Sequence, residues 1–79
     1  MKDTGLNFRH LYYFWVVAKE GGITRAATRL GLAIQTVSTQ LAQLEQQLGK
    51  SLFTQQGRRL VLTEAGRLAL SHADQIFLL

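Results

Sequence analysis

The chain has 79 residues, and a domain of this size buries only about 60 to 65% of its unfolded surface, which leaves no room for a deep catalytic cleft. It has no cysteine, which excludes disulfides and cysteine-ligated zinc, and its apolar runs are too short for a signal peptide or a membrane span. Nine Lys and Arg against five Asp and Glu give a net charge of +4, which favours an anionic partner such as nucleic acid or a membrane surface.

The first predicted helix is FRHLYYFWVVAKE, capped by Asn7 and ended by Gly21 and Gly22. Leu6 and Leu11 are spaced for a hydrophobic staple at its start. Helical spacing predicts a core face made of Leu11, Phe14, Trp15 and Ala18, extended by Phe8 and Tyr12. Two histidines have no Cys, His or acid at ligand spacing, so we expect surface or half-buried side chains at His10 and His72.

A helix-turn-helix is predicted next. A short helix capped by Thr24 ends at Gly31, and a longer one runs from Ile34 to Leu48 before Gly49. Two helices joined by a short turn containing glycine form the arrangement whose second helix can lie in the major groove of DNA.

The second of these helices has two contrasting faces. Its apolar residues recur every three or four positions and are predicted to be buried: Ile34, Val37, Leu41, Leu44 and Leu48. An uncharged arc of roughly 140° lies opposite, with Ser38 at its edge, and holds Gln35, Thr36, Thr39, Gln40 and Gln43. Amides and hydroxyls suit base edges. The alternative is a solvated surface without a partner, and the pattern alone does not decide between them.

After Gly49 the period changes, which predicts a small hairpin, or wing. Its apolar runs are Ser51 to Phe53 and Arg59 to Leu62, separated by TQQGR with Gly57 available for a positive φ. Arg58 and Arg59 in this loop could follow phosphates or enter a minor groove, or could simply be solvated.

A final helix is capped by Thr63 and carries Glu64 in its first turn. Its apolar residues, up to Leu79, form a stripe broader than one small domain needs. This predicts either a partner subunit or a helix that continues beyond Leu79.

The run AATRLGLAIQTVSTQLAQLEQQLGKSLFTQQGRRLVLTEAG resembles the N-terminal DNA-binding domain of LysR-type transcriptional regulators. The similarity covers almost the whole chain from Phe8 onward. The matching features are Ala26-Ala27, Leu30, Val37-Ser38, Leu44-Glu45, Leu48-Gly49, Leu52-Phe53, Arg58 and Leu62-Thr63-Glu64-Ala65-Gly66. The start, LNFRHLYYFWVVAKEGG, is most similar to the branch of the family that activates sodium/proton antiporters.

The resemblance implies a mainly α fold, with a winged helix-turn-helix of three helices and a two-stranded wing over residues 1–62. Residues 63–79 would begin a long linker helix that pairs two protomers. In the family an effector-binding domain follows, which would hold any small-molecule or ion effector. That domain is absent from this chain.

The resemblance also implies site residues. Bases would be read near the start of the second helix, by Ile34, Gln35, Thr36 and Thr39, and Ser38 would touch a phosphate. In our own interpretation, Gln40 also orients on phosphate. Wing arginines of the family correspond to Gln55 and Arg58, and Arg25 and Arg59 would add to neutralising the DNA backbone.

Several of these positions depart from the usual family pattern. Ala33 stands where a Ser or Thr cap is common, which removes a cap worth about 1 kcal/mol. Ile34 replaces a commoner Gln or Pro and could contact a thymine methyl group, and Thr39 and Gln55 each replace a frequent Arg.

We therefore expect a cytoplasmic, sequence-specific domain that binds double-stranded DNA as a homodimer, joined through its C-terminal helix, on a roughly palindromic site. The alternative is a winged helix that serves only protein interaction or dimerisation. No stretch combines a strongly basic face with an apolar one, so no membrane partner is expected. The acids are scattered over different elements, so no catalytic, metal or cofactor site is expected: Asp3, Glu20, Glu45, Glu64 and Asp74.

Overall fold

The computed structural model describes residues 7–78. They form four helices and one two-stranded antiparallel sheet in the order α1 (Phe8–Glu20), α2 (Ile23–Leu30), α3 (Ile34–Leu48), β1 (Phe53–Gln56), β2 (Arg59–Leu62) and α4 (Glu64–Phe77). The predicted mainly α fold with a hairpin after the third helix is confirmed. The predicted staple at Leu6 and the end of the apolar stripe at Leu79 lie outside the described residues.

Helix α1 lies at the centre of the fold, since α2, α3 and α4 all pack against it. The Oδ1 atom of Asn7 caps the start of α1, as predicted, by accepting a hydrogen bond from the Arg9 backbone amide at 2.8 Å. Leu11 and Phe14 join a cluster with Leu41, Leu44, Leu52 and Ala73, and a second cluster is formed by Val16, Val17, Ala26, Ala27 and Val37. Helix α1 is therefore buried on two sides, whereas a helix with a single amphipathic stripe is buried on one.

Two expectations for α1 are wrong. Phe8 is 68% exposed because it lies in the first turn, and Tyr12 is also exposed at its rim. His10, expected to be a surface or half-buried side chain, is buried at 7% exposure, and its Nδ1 atom has no hydrogen-bond partner among the described residues. The predicted core face was a single stripe that did not include His10. The burial of His10 was missed because α1 is also buried on a second side.

Helix α2 begins two residues earlier than predicted, since its N-cap is Gly22 and not Thr24. Gly22 is its N-cap, with φ 172° and ψ 162°, and no side chain caps it, so Thr24 lies within the first turn instead. Ile23 packs against both core clusters, which fixes the start of the helix at this point. Buried Ala26 and Ala27 have short side chains that let α2 approach α1 closely.

The buried stripe of α3 is shorter than predicted. Val37, Leu41 and Leu44 are buried, but Ile34 is 52% exposed and Leu48 is 42% exposed. Both residues share the helical periodicity of the buried stripe, but they lie at the two ends of the helix. The predicted absence of a side-chain cap at Ala33 is confirmed.

The wing hairpin pairs Phe53 with Leu62 and Gln56 with Arg59, and Gly57 in its turn has φ 61°. The first strand was predicted at Ser51 to Phe53 but begins where that run ends. Leu52, which is buried in the core, anchors the chain just before the strand, while the strand itself consists mostly of exposed polar residues. Arg59 opens β2 and is not in the loop.

Helix α4 lies against α1. The Thr63 hydroxyl caps α4, as predicted, by accepting a hydrogen bond from the Gly66 backbone amide at 2.9 Å. Asp74 accepts a hydrogen bond from the Trp15 indole at 2.7 Å and pairs with Lys19 at 3.1 Å. Leu68 and Ile76 of α4 and Leu78, which follows the helix, are exposed.

These contacts make the α1–α4 packing sensitive to acid. The indole hydrogen bond and then Lys19 lower the pKa of Asp74 below its ordinary value of 3.8. A lowered carboxylate pKa stabilises the fold above the ordinary value, and this contribution is lost as the pH falls through the folded value. We expect the emission of Trp15, the single tryptophan, to change over that acid range. Asp74→Asn should abolish the change, and an unaltered profile in that variant would contradict the assignment.

Candidate nucleic-acid interface

The uncharged face of α3 is open to solvent near the start of the helix. Gln35, Thr36 and Thr39 are exposed, as is Ser38 beside them. Together with Gln40, the first three line a shallow groove of about 360 Å³. We call Ile34, Gln35, Thr36, Ser38 and Thr39 the reading face. Its residues can donate and accept hydrogen bonds and can offer methyl groups.

Gln40 differs from the other polar residues of this helix. Its side chain is half-buried, and its Oε1 atom is enclosed without a hydrogen-bond partner among residues 7–78. Such an oxygen costs free energy unless a partner reaches it. Gln40 therefore lies at the margin of the reading face, and its Oε1 atom lacks a hydrogen-bond donor.

A basic cleft lies between the start of α2 and the wing. It has a volume of about 530 Å³ and is lined by Gly21, Gly22, Ile23, Thr24, Arg25, Gln55, Arg58, Arg59 and Leu60. Three predicted contact residues, Arg25, Arg58 and Arg59, are thus brought together, and Gln55 joins them. Within residues 7–78 none of these three arginines pairs with a carboxylate, whereas Arg29 is paired with Glu20 at 2.9 Å.

The start of α2 adds to the positive potential of this cleft. Because no side chain caps the helix at Gly22, its first amide groups are free to meet an anion, and the helix dipole favours negative charge there. An unpaired guanidinium cluster beside a helix start suits phosphate oxygens.

One residue that positions the wing was not predicted. Glu45 of α3 accepts hydrogen bonds from the backbone amides of Leu52, at 2.8 Å, and Phe53, at 3.4 Å. This carboxylate ties the first residue of β1 to the helix, so the wing is held at a fixed place relative to the reading face. The pair Leu44-Glu45 was noted only as a matching feature, and no local spacing rule points to a contact seven residues away.

Within the described residues, no group of His, Cys, Asp and Glu is arranged to hold a metal ion. No helix in residues 7–78 has the length and hydropathy of a bilayer span.

Comparison with known proteins identifies the family. The family model for bacterial regulatory helix-turn-helix proteins of the lysR family matches residues 8–67. The chain belongs to the LysR family. One relative, the transcriptional activator protein NhaR of Escherichia coli K12, is 43% identical over 79 residues, which is all of this chain and 26% of NhaR. The chain thus spans about a quarter of the length of this LysR relative.

Solved LysR-family structures share the fold. The BenM DBD in complex with catB site 1 DNA has a TM-score of 0.85 and 32% identity, covering 90% of this chain and 76% of that one. The CbnR DBD–DNA complex has a TM-score of 0.83 and 37% identity, covering 90% of this chain and 82% of that one. The predicted winged helix-turn-helix and the predicted family are confirmed. The individual contact residues, and the similarity to the antiporter-activating branch, stay predictions.

Proposed function

We propose that this LysR-family domain binds double-stranded DNA with sequence preference, placing α3 in the major groove and the wing against the adjacent backbone. The observation that carries the proposal is the position of an exposed, uncharged helix face next to a cleft lined by three arginines that pair with no carboxylate of residues 7–78. The DNA complexes of the related BenM and CbnR domains support it.

The two surfaces have different roles in this proposal. Ile34, Gln35, Thr36 and Thr39 read base edges, because uncharged amides, hydroxyls and methyl groups match the major-groove pattern. Ser38 and Gln40 orient on phosphate, because the Ser38 hydroxyl and the side-chain amide nitrogen of Gln40 can donate hydrogen bonds to phosphate oxygens. Arg25, Arg58 and Arg59 neutralise the backbone without reading sequence.

The proposal extends to assembly. Leu68, Ile76 and Leu78 are exposed apolar residues that a second protomer can cover, so we assign residues 63–79 to a linker helix that joins a homodimer. Residues 1–62 then form the DNA-binding unit of each protomer, and a roughly palindromic site matches the two-fold symmetry. We further propose that the protein is cytoplasmic and that any effector binds a domain other than this one.

The salt dependence of binding tests the role of the cleft. Arg58→Ala should weaken binding to all duplexes and lower the slope of log affinity against log salt by roughly one unit, because one phosphate contact is lost. Fluorescence anisotropy on selected and random duplexes over a range of salt concentrations measures both effects. Lys50→Ala is the matched control, since Lys50 is exposed beyond the far end of α3 and its removal should leave the slope unchanged.

The competing function is an interaction module in which the reading face is idle, and the exposed apolar residues of α4 are the observation in its favour. Such a module would bind duplex DNA weakly and without a steep salt slope. A flat slope for the unsubstituted domain would therefore contradict the proposed function.

A further inference from the structure

Ile34 is an aliphatic side chain in an unusual position. It opens α3 and is 52% exposed, although its angle on the helix matches the buried stripe. Its neighbours on the reading face are polar and uncharged. Covering an exposed apolar side chain removes it from water, which is favourable. Ile34 therefore contributes to binding only if the partner packs against it.

The chemistry of the reading face restricts what that partner can be. Helix α3 contains a single charged residue, Glu45, which is half-buried and holds the wing. No cation therefore reaches from this helix to the O6 and N7 atoms of guanine, the commonest specific contact in the major groove. The hydroxyls and carboxamides of the reading face can bond to any base pair, so these polar groups alone do not fix the sequence that is read. The C5-methyl group of thymine is the apolar group that base edges present in the major groove.

We propose that the major-groove site read by α3 contains a thymine whose C5-methyl group packs on Ile34. This inference rests on the proposed function and deepens it. A carboxamide or hydroxyl oxygen could also accept from the amino group of cytosine, but cytosine offers Ile34 only a C–H in place of the methyl group. The aliphatic side chain thus makes the distinction that the polar ones leave open.

The experiment removes the methyl group alone. Duplexes are first selected from a random pool with the 79-residue chain, and each thymine of the selected major-groove site is then replaced singly by deoxyuridine. At one position the unsubstituted domain should lose about fourfold in affinity, the effect of one buried methyl group. Ile34→Ala should bind the thymine and deoxyuridine duplexes equally at that position.

Leu48→Ala is the matched control, because Leu48 is a similarly exposed aliphatic residue at the opposite end of α3. It should retain the fourfold difference. Circular dichroism checks that each variant is folded, as expected for an exposed side chain.

Each outcome separates the two proposals. Selection of a major-groove site without a thymine, the absence of any deoxyuridine effect, or an undiminished effect in Ile34→Ala would overturn the inference while leaving DNA binding intact. Failure to bind any duplex with a salt-dependent affinity would instead contradict the proposed function, and the inference with it.

Discussion

Gly66→Ala is expected to lower the free energy of unfolding by at least about 3 kcal/mol. A Cβ atom at this position would overlap the backbone carbonyl oxygen of Leu52 and lie 2.9 Å from Cδ2 of Leu62 and 3.0 Å from the carbonyl carbon of Leu52. Helix propensity alone predicts the opposite, since alanine is favoured over glycine by about 1 kcal/mol. The clash dominates because backbone atoms cannot rotate away. Urea denaturation of both proteins measures the difference.

Gly22→Ala is the matched control for this prediction. A Cβ atom there meets no atom within 4 Å, and the backbone is extended, so the change should cost less than about 1 kcal/mol. Equal losses in the two variants would mean that α4 does not press on the segment before the wing. The position of α4 relative to the wing would then be wrong.

Gln35→Glu is expected to reduce specific DNA binding by about a hundredfold while leaving the fold at least as stable. Placing a carboxylate against base acceptors and phosphates costs several kcal/mol. The first turn of α3 has no acid, and an acid there interacts favourably with the helix dipole by about 0.3 to 1 kcal/mol. Binding and stability should therefore change in opposite directions. Anisotropy and urea denaturation on the same variant measure the two quantities.

Gln47→Glu makes the same change of charge on the same helix, but twelve residues further along, which is about 18 Å. It should affect binding by less than about threefold, through long-range repulsion only. If the two variants lost affinity equally, net charge rather than a local contact would control binding. The reading face would then have no specific role.

Features set by local chemistry were predictable from the sequence. Asn7 and Thr63 cap their helices as predicted, and glycines at Gly21, Gly31 and Gly49 end α1, α2 and α3 in the left-handed conformation. Each of these depends on residues within one helical turn. The family pattern added the order of the elements and the candidate contact residues.

Features set by contacts between distant elements were not predictable. Periodicity gave the angle of Ile34 on its helix but not whether another element lies beside the first turn, so its exposure was missed. Strand β1 lacks an alternating apolar pattern because Leu52, just before it, anchors the wing. The hydrogen bond between Trp15 and Asp74 joins residues 59 positions apart, which no local rule can detect.

The most direct test of the central claim is an NMR titration of the isotopically labelled chain with a selected duplex. If the reading face enters the major groove and the basic cleft contacts the backbone, the largest amide shift changes should fall in residues 33–40 and 55–60, with smaller ones at the start of α2. Shift changes confined to α4, with the amides of residues 33–40 unmoved, would contradict the account.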